Sequence, residues 1–281
     1  MKKISLILCM LMILTLALAS CGGNESGGIS GKGSDASDAA DDGTRIITSL
    51  DGSSITLPAE VTKAVSLAPA STIIISALGM DAKLVDSDVS GIAALAPDVV
   101  FAPADTDVSA VESAGIPVIK IPATESVAGI KDIIRIAGKV FNAGDQAEAI
   151  ITTLTNSINV IQLATASSNK YNVFLDMGDL QTTGGGTYLN EAIMSSGGSN
   201  VFSAKEGFVT VTDDEVIAAN PAFIFTTSSA SELSSRPGWD AIEAVANGFV
   251  YELPSSEILL PTQNITSAIQ FIYETIFDAK G

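Results

Sequence analysis

Chemistry in a protein needs nucleophiles, titratable pairs, metal ligands or a cradle for charge, and this 281-residue chain offers few of them. It has no histidine, and its two cysteines, Cys9 and Cys21, both stand near the N-terminus. Imidazole-type metal and haem sites are thereby excluded, as are Ser-His and Cys-His catalytic units. Beyond Cys21 no thiol remains for a disulfide or a nucleophile. No convincing carboxylate pair for general acid–base work is evident either, so an enzyme is not expected, and neither a resident metal nor a cofactor.

Three stretches have residue types that could still act on a ligand. Gly184-Gly-Gly-Thr-Tyr188 could cradle a phosphate, but it lacks the Lys-Ser/Thr ending of a P-loop. It reads either as backbone drawn close to a ligand or as a plain flexible turn. Phe208 and Tyr188 each read as a ring stacked on a ligand or as core packing. Thr212-Asp-Asp-Glu215 has the spacing of a capping box, with Asp214 favoured by the helix dipole.

The elements that must position these residues follow from period and punctuation. From Thr124 to Ala166 apolar residues recur every three or four positions, at Val127, Ile130, Ile133, Ile134, Ala137 and Phe141, and again at Ala147, Ile150, Ile151, Leu154, Ile158 and Ile161. Asn142-Ala-Gly144 breaks the run and Asp145-Gln-Ala-Glu148 restarts it, which predicts Asp145 as the cap of a second, long helix. A repeat flanks this pair. Ile92 to Phe101 and Ile217 to Phe225 are each a helix end, a Pro and a buried-type strand, and each is followed by a helix and a strand ending in Pro, at Pro122 and Pro254. Strands alternating with helices predict parallel sheets, one per half.

Smaller elements complete the reading. Asp51-Gly52 between Ile46–Leu50 and Ile55–Leu57 predicts a hairpin. Ala64–Leu67, Lys83–Val85, Pro117–Ile121 and Tyr171–Leu175 read as strands. Pro69–Leu78, Thr106–Ala114, Leu189–Ser196 and Thr262–Lys280 read as helices, and Arg236-Pro-Gly-Trp239 as the start of another. The fold class is α/β: two lobes, each with a mainly parallel sheet flanked by helices and its own core, joined by one long backbone helix.

The N-terminus bears on compartment. Lys2-Lys3 precede an apolar run from Ile4 to Leu18, about 15 residues against the roughly 20 of a membrane span. Leu18-Ala-Ser-Cys21 resembles a bacterial lipobox, in which Cys21 is lipidated; two acyl chains give stable anchoring. The domain expectation is a signal segment (1–20), a Gly/Ser/Asp-rich disordered tether (21–43), an N-terminal lobe (44–124), connecting helices (125–168) and a C-terminal lobe (169–281). The formal net charge is −18, two units more negative once Lys2 and Lys3 leave. Such a chain is a poor candidate for nucleic acid or anionic lipid surfaces.

Seven motifs in order carry a resemblance. They are Ala64-Val-Ser-Leu-Ala-Pro69 with Ala77-Leu-Gly79, Ala94-Leu-Ala-Pro-Asp98, Gly115-Ile-Pro117, Thr183-Gly-Gly-Gly-Thr187, Gly197-Gly-Ser-Asn-Val-Phe202, Val211-Thr-Asp-Asp-Glu-Val216 with Asn220-Pro221, and Arg236-Pro-Gly-Trp239. From about residue 44 onward the chain resembles the periplasmic binding proteins of the cobalamin and ferric-siderophore class, substrate receptors of ABC importers. The resemblance implies a ligand held between the lobes, at the carboxyl ends of the strands. On this basis Pro69, Ala70, Ser71, Pro103, Asp105, Met177, Gly185, Gly186, Thr187, Tyr188, Phe208 and Thr227 are the expected ligand contacts.

It also implies docking to a permease, served by its ATPase, through one carboxylate in each repeat unit. Seven residues before Pro221 stands Asp214, with Glu215 beside it; seven before Pro97 stands Ser90, which leaves Asp88 as the nearby substitute. The segment Asp86–Gly91 is shorter than its counterpart in the family, and Ile73 replaces a usual Glu. The expected function is a monomeric, lipid-anchored extracytoplasmic receptor for a corrinoid or an iron chelate. The alternative is a sensor or accessory lipoprotein that kept the fold with a reduced first-lobe cleft.

Overall fold

A computed structural model describes residues 43–280. The expected signal segment, Cys21 and nearly all of the expected tether lie outside the described residues. The chain opens with a hairpin, β1 (Thr44–Thr48) and β2 (Ser54–Pro58), antiparallel about a turn in which Gly52 takes φ +82° and Asp51 Oδ1 accepts from the Ser53 amide at 2.9 Å. The first lobe continues with β3 (Ala64–Ser66), α1 (Pro69–Ala77), α2 (Ile92–Leu95), β4 (Val99–Pro103), α3 (Ser109–Ser113) and β5 (Val118–Ile121). The connector is α4 (Val127–Val140) and α5 (Gly144–Thr165). The second lobe is β6 (Tyr171–Asp176), β7 (Gln181–Thr183), α6 (Tyr188–Ser195), β8 (Gly198–Asn200), β9 (Phe208–Thr210), α7 (Asp213–Ala219), β10 (Phe223–Thr226), α8 (Ala230–Ser234), α9 (Glu243–Ala246), β11 (Val250–Glu252) and α10 (Ile265–Lys280).

Each lobe has a wholly parallel central sheet, in the order β3-β4-β5 in the first and β11-β10-β6-β8 in the second. Parallel strands covered on both faces read as continuous apolar runs. Phe101 and Ile119 accordingly pack on the α1–α4 side, while Val100 and Ala102 pack with Ile92 and Val111 on the other. In the second lobe Phe223 and Phe225 face α10, and Phe174 and Ile224 face Trp239.

Each lobe has an apolar cluster of its own, around Ile92 and Val100 in the first and around Phe174 and Trp239 in the second, but a larger cluster joins them. One apolar cluster runs from Ile74 and Phe101 through Ile133, Ile134, Ile151 and Leu154 of the connector to Val173, Phe223 and Ile269. The reason lies in α4 and α5, whose apolar positions are wide enough to cover both sheets. The two helices also meet closely, because a Cβ on Gly138 would stand 2.6 Å from that of Ala147.

Both ends of α4 are secured. Ser126 caps its start by accepting from the Gly129 amide at 3.2 Å. At its end the buried Arg45 guanidinium donates to the carbonyls of Lys139 (2.8 Å), Val140 and, from across the hairpin, Ala59 (3.2 Å), filling acceptors that a helix C-terminus leaves open. Asp145 is not the cap of α5. The helix starts one residue earlier, after Asn142 turns the chain at φ +56°, and the N-cap position is Ala143. Glu148 instead pairs across to Arg135 of α4 at 2.9 Å.

Four further differences concern short elements. Lys83–Val85 forms only a single bridge, Leu84 to Ala64, after a 3₁₀ turn at Asp81–Lys83, because the chain leaves directly for α2. The helix expected from Thr106 shortens to α3, whose entry is set by Asp107 accepting from the Ser109 amide at 3.0 Å. Trp239 opens a 3₁₀ turn rather than an α-helix. Finally, β7 and β9 pair antiparallel, a ladder that no local pattern announced.

Candidate functional site

The turn from β3 into α1 and the segment before α10 face each other across the lobe boundary. Ser66, Leu67, Pro69, Thr72 and Ile73 form one wall, Glu257 and Leu260 the other, around a cavity of about 380 Å³. Small-molecule pockets run from about 300 to 1,000 Å³, so this one lies at the small end. Pro69 starts α1 because its missing N–H would be an orphan there anyway. Behind it Ser71 is buried, and its hydroxyl has no partner among the described residues.

The opposite wall is held by Tyr188. This residue opens α6, and its hydroxyl donates to the Leu259 carbonyl at 2.7 Å. Burial pushes the phenol up to about 12, so it stays a neutral donor. Phe208 packs edge-on against Tyr188, with ring centroids 6.0 Å apart, and is 47% exposed. Tyr188 is thus spent on positioning the wall, and Phe208 is the ring beside it that remains open.

The glycine run has a structural account. A Cβ on Gly184 would stand 2.1 Å from the Lys205 carbonyl oxygen, and one on Gly185 2.5 Å from that of Ser203. Their amides donate to the Gly207 and Lys205 carbonyls at 2.7 and 2.6 Å. The glycines therefore let two backbone segments touch, extending the β7–β9 ladder. Gly186 alone is exposed, at φ +66°. Thr187 is buried, caps α6 through the Asn190 amide at 3.0 Å, and shares a short hydrogen bond with Thr183.

The remaining expected contacts are dispersed. Pro103 ends β4, with Asp105 exposed beyond it. Met177 packs against the shared core, and the Thr227 amide donates to the Asp176 carbonyl at 3.0 Å. Ala70 is half-buried in the first turn of α1. Glu257 and Thr72 were missed by sequence reasoning; a four-residue 3₁₀ turn has no period to reveal a lining position.

The carboxylates around α7 are unequal. Asp213 receives Arg236 at 2.6 and 2.9 Å and the Trp239 indole N–H at 2.7 Å, and the Arg236 bond above all holds its carboxyl below the usual range. Glu215 completes the capping box and pairs with Lys205 at 2.7 Å, which lowers its pKa. Asp214 between them is exposed and carries no hydrogen bond or ion pair among the described residues. In the first lobe Asp88 accepts from Ser90 Oγ at 2.8 Å and the Gly91 amide at 2.9 Å, and the Ser90 bond lowers its pKa.

Electrostatics narrow what the cavity can hold. Among the described residues no base lines it. Lys205 and Lys120, the bases expected near the cleft, are taken by Glu215 and Glu112 at 2.7 and 2.9 Å. No helix of the described residues is long and apolar enough to cross a membrane.

Known proteins resemble this chain in sequence or in fold. A substrate-binding lipoprotein of an ABC transporter from Bacillus subtilis, itself uncharacterised, is 25% identical over 99% of this chain and 98% of its own length. A vitamin B12-binding protein of Salmonella paratyphi A is 27% identical over 63% of this chain and 71% of its own. The molybdate-bound periplasmic binding protein of a Haemophilus influenzae ABC transporter superposes with a TM-score of 0.75 at 18% identity, covering 83% of this chain and 91% of that one, a likeness of fold alone. Residues 85–257, more than half of the sequence, match the family described as periplasmic binding protein, and the chain belongs to that family.

Proposed function

We propose that this protein is a lipid-anchored extracytoplasmic receptor of an ABC importer, taking a corrinoid or a neutral or cationic iron chelate between its lobes and delivering it to the permease. The observation that carries the ligand class is the cavity wall: hydroxyl, apolar and acidic, with the neighbouring lysines already paired. Anionic chelates are gripped by Arg or Lys, and such a grip is missing from this wall. A macrocycle larger than about 380 Å³ requires the lobes to stand further apart than they do here. Relatives named as ABC transporter substrate-binding lipoprotein and vitamin B12-binding protein support the reading.

Docking is assigned to Asp214, the exposed carboxylate of its turn, with Glu215 reserved for Lys205 and the cap. Asp214→Ala lowers uptake and leaves ligand affinity unchanged; undiminished uptake refutes this role. For the ligand, a thermal-shift series against corrinoids, haem and ferric siderophores decides. Binding of a neutral or cationic member raises the melting temperature, and the absence of any rise at saturating concentration contradicts the proposal. One observation favours a sensor or accessory role instead: Asp88, the first-lobe docking candidate, is occupied within its own turn.

A further inference from the structure

A second cavity of about 400 Å³ lies away from the one described above, where α4, α5 and α6 converge. Its walls come from three parts of the molecule: Val127 and Lys131 from the start of α4, Ile158 from the connecting helix α5, and Glu191 and Met194 from the second lobe. Two hydrogen bonds brace it. Glu191 Oε2 accepts from the Val127 amide at 2.9 Å, and Gln162 Nε2 donates to Ser195 Oγ at 3.0 Å.

The lining is chemically divided. Val127, Ile158 and Met194 give an apolar floor, and Met194 is 56% exposed, unusual for a methionine with nothing to cover. Lys131 carries no ion pair among the described residues, and Glu191 keeps one oxygen beyond its bond to Val127. The two opposite charges line one cavity without pairing with each other. A ligand that satisfies both must carry an anion and a cation, with an apolar body to cover the floor.

We propose that this cavity is a second binding site, for a small apolar zwitterion of the α-amino-acid class, its carboxylate on Lys131, its ammonium on Glu191 and its side chain on Met194 and Ile158. The connector and the second lobe both contribute to the walls, so an occupant that favours one angle between them shifts the population of lobe orientations and with it the affinity of the inter-lobe cavity.

The test titrates the full chain with leucine, methionine and phenylalanine, with octanoate and octylamine as singly charged controls. Saturable binding of an amino acid is expected, with a melting-temperature rise of about 4 °C at ten times the dissociation constant. In ¹³C-methyl spectra the Met194 resonance moves and that of Met177, which packs in the shared core, does not. Lys131→Met and Glu191→Gln each weaken binding about tenfold; glutamine keeps the acceptor for Val127, so the fold is preserved, as the melting temperature of the free variants verifies. Absence of saturable binding, binding that both variants retain, movement of Met177 in place of Met194, or octanoate binding as tightly as leucine each overturns the proposal.

Discussion

The two lobes are unequal in what they bring to the boundary between them. The first has a three-stranded sheet beside its β1–β2 hairpin, and its wall of the cavity, Ser66 to Ile73, is uncharged and carries no aromatic ring. The second has four strands and an added β7–β9 ladder, and it supplies Glu257, the Tyr188 bond that holds Leu259, and the open ring of Phe208. Yet a single apolar cluster runs through both. The comparison teaches that coupling and wall chemistry are distributed differently: the core is shared, whereas the one charged group of the cavity wall, Glu257, stands on the second-lobe side.

If the core is shared, damage to the connector must be felt in both lobes. Leu154 is fully buried between them. Leu154→Ala should cost about 3 kcal/mol, within the usual range for a large-to-small core change. Denaturant unfolding should still show one transition; two separated transitions would mean that the lobes fold independently. Arg45→Met, which removes these donors from the end of α4, should cost about 2 kcal/mol in the same assay, because the buried Val140 carbonyl is left unpaired.

A smaller effect separates the lobes by pH. In the second lobe Asp213 has its pKa lowered by Arg236, so its carboxylate contributes stability that is present above the unfolded-state value, ordinarily 3.8, and is lost as pH falls through the lower folded-state value. The stability difference between the wild type and Asp213→Asn should therefore shrink between pH 5 and pH 2. A difference that stays constant across that window contradicts the Asp213–Arg236 pairing as the cause. Tyr188→Phe should have the smallest effect on stability, about 1 kcal/mol from the lost bond to Leu259, but it should loosen the second-lobe wall and weaken ligand binding several-fold in calorimetric titration.

Much of this was legible in the residues themselves. Asp51-Gly52 announced the hairpin, the connector declared itself by its 3.6-residue period, and Thr212 with Glu215 formed the capping box their spacing required. What was hidden involves partners distant in sequence. Gly184 and Gly185 are needed because Ser203 and Lys205 press against them, and local spacing cannot tell a ligand from another piece of backbone. Asp145 lost the cap of α5 because Asn142, at positive φ, brought the chain round early. Glu257 could not be found because it reaches the cavity from a turn with no period, placed there by a tyrosine 69 residues earlier whose hydroxyl holds Leu259.

The most direct test is calorimetric titration of one neutral corrinoid into the wild type, Phe208→Ala and Glu257→Gln on the second lobe, and Thr72→Ala on the first. Unequal walls predict that the two second-lobe changes each weaken binding about tenfold, or roughly 1.4 kcal/mol, while Thr72→Ala alters it less than threefold. Equal losses from both lobes, or no binding by the wild type, would contradict a receptor that recognises a corrinoid chiefly through its second lobe.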